Sequence, residues 1–130
     1  MARHSCCVFG KLDVADHLHS AIKELCLANP SDKSCEAAES YARMMIVGYR
    51  GDFNDVYDAG NTSAAAFAVL GDLRRSNEAA MIAAGGLLNA GSLEEAQKII
   101  LKYLDASRKA GDLALHRQNM SSLQYIYMWR

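Results

Sequence analysis

The residues that could do chemistry in this chain are few and dispersed. His4 stands close to the adjacent thiols Cys6-Cys7. If Met1 is removed ahead of the small Ala2, a free amine with His4 in third position could chelate Cu(II) or Ni(II), and nearby thiolates would add capacity. So short a pattern also arises by chance and fixes no metal site. Cys26 and Cys35 flank the segment Asn29-Pro30-Ser31-Asp32-Lys33-Ser34. In an antiparallel hairpin they could come within disulfide reach; otherwise they serve as small buried hydrophobes. His17 and His19 are two apart, so on a helix they point to different sides. His116 stands alone. Asp52, Asp55 and Asp58 have the rhythm of a calcium loop. Yet Tyr57 occupies the position that needs glycine, and Ser63 the position that needs a closing glutamate. With Phe53 and Tyr57 among them, they form either a solvated turn or an acidic, aromatic surface suited to a basic partner. No zinc spacing, Gly-x-Ser-x-Gly, phosphate loop or His-Glu-x-x-His occurs. The expectation is a protein without catalytic residues, metal or cofactor, and not an enzyme.

What must position these residues follows from composition. The chain has 130 residues and a formal net charge of −1, a length typical of one domain. With 51% hydrophobic and 22% charged residues, it can build a core and is not intrinsically disordered. Alanine occurs 21 times against a single proline and a single threonine. Alanine is the best helix former and proline the strongest breaker, so the fold class expected is all-α. Residues 1–65 sum to −3 and residues 66–130 to +2. That balance is far from the basic footprint of a dedicated nucleic-acid binder. The longest apolar run, Ala79 to Leu88, has ten residues and is too short to span a bilayer. The N-terminal stretch lacks the apolar run of a signal peptide, and Ala2 excludes N-myristoylation. The expected location is cytoplasmic, with reduced thiols.

Residues 1–11 are expected to form an irregular arm and residues 12–130 a single helical domain. Val14, Leu18, Ala21, Ile22 and Leu25 recur at helical spacing and predict a helix over Leu12 to Ala28, stopped by Asn29-Pro30. A second helix is expected from about Ser34 to Arg50. Phe53 to Ala59 reads as a short helix broken at Gly60-Asn61-Thr62, followed by a buried helix from Ser63 to Arg74. Ser76 or Asn77 would cap the next helix, which reaches Asn89. Gly85-Gly86 inside it implies either close approach of a neighbouring backbone or a kink. Ser92 and Glu95 form a capping box before an amphipathic helix. Gly111 and Asp112 divide that helix from the last one. The final turn, Tyr125 to Trp129, is apolar all round, so it either buries fully or offers a contact surface.

The stretch Asn77 to Leu104, with Ala84, Leu87, Gly91, Ala96, Ile100 and Tyr103 at its packing positions, resembles a tetratricopeptide helical hairpin. Asn89-Ala90-Gly91-Ser92-Leu93-Glu94-Glu95-Ala96 is its most typical part. The large aromatic residue expected early in the first helix is missing, and no proline closes the unit. In that family the inner face of the first helix lines a peptide groove, so the resemblance implies partner-binding roles for Glu78, Met81, Gly85, Leu88 and Asn89. Ordinary core packing is the competing account of Met81 and Leu88. The apolar last turn adds Tyr125 and Trp129 as candidate contacts.

The fold expected is a compact all-α bundle of five to seven antiparallel helices. The function expected is a non-enzymatic protein-interaction module: an adaptor, small chaperone or inhibitor that binds a protein partner through a helical face, with a homodimer also compatible. The alternative is a small helical nucleic-acid-binding regulator, which Arg74-Arg75 and Lys98/Lys102 support only sparsely.

Overall fold

The computed structural model describes residues 11–129. The expected N-terminal arm, and with it His4, Cys6 and Cys7, therefore lies outside the described residues apart from Lys11. Six helices make up the rest: α1 (Leu12–Ala28), α2 (Lys33–Arg50), α3 (Phe53–Val69), α4 (Leu73–Asn89), α5 (Leu93–Lys109) and α6 (Leu113–Met128). No strand occurs among the described residues. Each helix packs on its sequence neighbours, and α4 also touches α6. Connections of two to four residues reverse the chain at every step, so neighbours run antiparallel. The result is an all-α bundle built serially.

The connections obey a period absent from the expectations above. Gly51, Gly71, Gly91 and Gly111 stand 20 residues apart, and all take positive φ, from 70° to 85°. Side chains with a Cβ avoid that region, which is why glycine recurs there. In each turn the residue after the glycine donates its N–H back into the finished helix: Asp52 to the Val47 carbonyl at 3.1 Å, Asp72 to Phe67 at 3.0 Å, Ser92 to Leu87 at 2.9 Å, Asp112 to Ser107 at 3.0 Å. The same residue begins the next helix. Asp72 and Asp112 accept from the N–H groups of Arg75 and Leu115 at 3.0 and 3.1 Å, and Asp52 from Asp55 at 3.4 Å. In the three turns that carry Asp, one residue thus closes one helix and caps the next.

Several expected boundaries move as a result. Gly60-Asn61-Thr62 does not break a helix; α3 runs through it. Gly60 is buried against α4, and a Cβ there would stand 2.7 Å from the Ala83 Cβ. The missing side chain makes room for a neighbour, and tertiary packing outweighs the local helix cost. The helix expected to reach Arg74 ends at Val69, because Gly71 leaves helical geometry. Ser76 is not a cap. It is buried one turn inside α4 and donates its hydroxyl to the Ala64 carbonyl of α3 at 2.8 Å. Ser92 makes no side-chain cap bond, so the capping box is not formed. Glu94 and Glu95 in the first turn of α5 supply the favourable charge at its positive end instead.

Small residues set the closest contact. Ala59, Gly60, Ser63 and Ala64 of α3 and Ala79, Ala80 and Ala83 of α4 are all buried. Gly86 behaves likewise: a Cβ on it would lie 2.8 Å from the Phe53 carbonyl oxygen, whereas one on Gly85 would meet nothing within 4 Å. Of the two readings of Gly85-Gly86, close approach holds, and at Gly86 alone. The core has two principal parts. Met44, Val56, Ala59, Ala64, Ala79 and Ala80 join α2, α3 and α4. Met81, Ala84, Leu87, Ala96, Ile100, Leu115, Leu123 and Ile126 join α4, α5 and α6. Helix α4 belongs to both and is the centre of the bundle. Helix α1 buries only Ala15, against Ile46 of α2.

Candidate docking face on α4 and α6

Helix α4 stands between α2 and α6, and its outward stripe begins with Arg74 and Glu78. Tyr41 of α2 donates its hydroxyl to Glu78 Oε1 at 3.3 Å. Partial burial and the neighbouring Glu78 carboxylate push the Tyr41 phenol up to about 12, because both disfavour its anion. On the other side Arg74 Nε lies 3.5 Å from Asp112 Oδ2, at the start of α6. Arg74, Glu78, Asp112, Ala114, Leu115 and Gln118 line a shallow cleft of about 160 Å³. Tyr41 and Gln118 were not among the candidate residues of the sequence, and Arg74 and Asp112 were read there only as a sparse basic pair and a helix boundary. The 20-residue period puts α2, α4 and α6 in parallel with a 40-residue offset.

The other candidates divide. Met81 is 3% exposed and sits in the α4–α5–α6 core. It packs there rather than facing solvent, because its position in α4 is turned toward α5 and α6. Leu88 is half-buried against the same cluster. Gly85 opens onto free space. Asn89 is exposed, with its amide turned back to the Gly85 carbonyl at 2.9 Å. At the end of α6, Ile126 is fully buried while Tyr125, Tyr127, Met128 and Trp129 are 48–73% exposed. The rings of Tyr125 and Trp129 are 6.0 Å apart and tilted by 45°. Gln97 of α5 donates to the Tyr127 hydroxyl at 3.3 Å. Gly85 and Asn89 occupy the same positions in their 20-residue unit as Tyr125 and Trp129. Because α4 and α6 run parallel, these residues stand level, at the end of the bundle away from the Arg74–Asp112 pair. What the end of α6 offers is an exposed aromatic pair, Tyr125 with Trp129.

No group of three or more His, Cys, Asp or Glu able to hold a metal ion occurs among the described residues. Asp52 is committed to capping α3, and Asp55 lies 3.8 Å from Arg43. His17 is exposed, and His19 pairs with Glu39 of α2. Cys26 and Cys35 are free thiols, both half-buried. The Cys26 thiol is pushed up to about 11, first by burial, then by its hydrogen bond to Cys35, with Cys35, Glu39 and Asp32 adding negative charge nearby. The chain matches no protein family, no curated protein and no solved structure.

Proposed function

We propose that this protein is a non-enzymatic protein-interaction module, an adaptor, small chaperone or inhibitor that docks a protein partner on the α4–α6 face. The observation that carries this reading is the exposed aromatic end of α6. Tyr125, Tyr127, Met128 and Trp129 leave about half to three-quarters of their surface in water. Grouped apolar side chains of this size favour desolvation by a partner, and Tyr and Trp gain most from it. On α4, Gly85 is open and Asn89 exposed at the matching end of the helix. The tetratricopeptide-like reading of the α4–α5 hairpin points to the same helix. No described helix is long and apolar enough to cross a membrane.

Trp129 is the only tryptophan, so its fluorescence reports directly on this face. Emission of the free protein is expected to be water-like and to shift to the blue when a captured partner is added. A Tyr125→Ser, Trp129→Phe double variant should capture that partner at least tenfold more weakly from an extract of the native host. Capture unchanged by the double variant defeats the assignment of this face.

A further inference from the structure

Cys26 lies in the last turn of α1 and Cys35 in the first turn of α2. The turn between them is the one connection that lacks the recurring glycine. It is closed by Pro30 and by the Asp32 N–H, which donates to the Asn29 carbonyl at 3.0 Å. The hairpin thus sets the two cysteines at facing helix ends, near enough for Cys35 to raise the Cys26 thiol pKa. Both are half-buried, so neither is sealed off. Cys26 also lines an open cleft of about 330 Å³ with Lys23, Leu27, Pro30, Asp32 and Glu36. Two cysteines in the adjoining turns of an antiparallel helical hairpin, four connecting residues apart, stand where a disulfide can bridge the helices. The helix they would secure is the one held least by apolar contact. Helix α1 fully buries only Ala15, with Leu12 packed beside it, and adds the polar pairs His19 with Glu39 and Asp16 with Arg50.

We propose that Cys26 and Cys35 form a reversible disulfide, made by exchange with a small-molecule disulfide such as glutathione disulfide, that tethers α1 to α2. One cysteine thiolate, Cys35, attacks the small disulfide. A Cys35–glutathione bond forms, one glutathione leaves as thiolate, and the Cys35 proton passes to solvent. The Cys26 sulfur, having given up its proton, then attacks Cys35 sulfur and expels the second glutathione. Two protein thiols are oxidised by two electrons, and one glutathione disulfide is reduced to two glutathione thiols. Only thiolate is nucleophilic, so the exchange quickens as pH rises.

The full chain carrying Cys6→Ser and Cys7→Ser is incubated across a series of glutathione to glutathione-disulfide ratios, quenched with an alkylating agent and digested with trypsin. The expected product is a single cross-linked pair, Glu24–Lys33 joined to Ser34–Arg43, which dithiothreitol reverses with helical circular dichroism unchanged. Hydrogen exchange of α1 amides should slow at least severalfold on oxidation. Cys26→Ser should instead accumulate glutathione on Cys35, because the resolving sulfur is gone. Both cysteines alkylated at every ratio overturns the proposal. So does a stable Cys35 adduct with Cys26 intact, and unchanged α1 exchange in the bridged form removes the tether. This inference is independent of the docking face, and none of these readouts involves α4 or α6.

Discussion

Two adjacent glycines with opposite surroundings show how much a single residue depends on what lies across from it. Gly86 faces the Phe53 carbonyl and Val56, and Gly85 faces open space. Gly86→Ala must push α3 away, at a cost of about 1–3 kcal/mol. Gly85→Ala meets no obstacle and relieves the entropic penalty of a helical glycine, for a gain of about 0.5–1 kcal/mol. Chemical unfolding of the two variants checks both signs. Tyr41 supplies a second residue-scale test. Its folded pKa is raised from 10 to about 12, so the stability it contributes is whole below pH 10 and is lost as pH rises through about 12. An ultraviolet titration should show Tyr41 ionising late, and Glu78→Gln should bring it back toward 10. Neither effect was legible in the sequence. A helical pattern tells which residues face inward, but not which atom of another helix stands opposite.

At the scale of elements, the information sits in the turns. A glycine at positive φ followed by Asp or Ser repeats every 20 residues and both ends and starts a helix. Asp72→Ala removes a cap bond of 3.0 Å and should cost about 1 kcal/mol. Ser92 makes no such bond, so Ser92→Ala should stay within about 0.5 kcal/mol of the parent. Thermal unfolding of the two variants side by side tests this contrast. A range of five to seven helices, which the six observed fit, and most helix bodies could be read from periodicity, as could the Gly111–Asp112 boundary. The false break at Gly60 and the displaced start of α4 came from treating each glycine as a local signal. Gly60 and Gly86 are glycine because of the neighbouring helix, and Gly71 because of the backbone turn. These causes look identical in a single window and separate only when the spacing is compared along the whole chain.

At the scale of the molecule, serial packing explains why a candidate face exists at all. Helices α3 and α4 have neighbours on two sides and bury the most residues. Among the described helices, α1 packs on α2 alone and α6 on α5 with a smaller contact to α4. Helix α1 keeps Leu25 and Leu27 exposed at 60% and 81%, and α6 keeps its aromatic turn exposed. If the aromatic end of α6 also pairs copies of the chain, light scattering will show mass rising with concentration while Trp129 emission shifts blue; a fixed monomer mass excludes self-association there. Composition and the 3.6-residue rhythm by themselves determined that the protein is helical and roughly where its helices lie. Those properties are local, since each residue's helix preference and the inward spacing of apolar side chains act within a few turns. Tertiary structure alone decided that Met81 is core, that Gly85 is open, that Glu78 meets Tyr41 and that Cys26 meets Cys35. Each depends on the distance and registration of a second helix, and those are set by packing across the bundle rather than by any neighbouring residue in the chain.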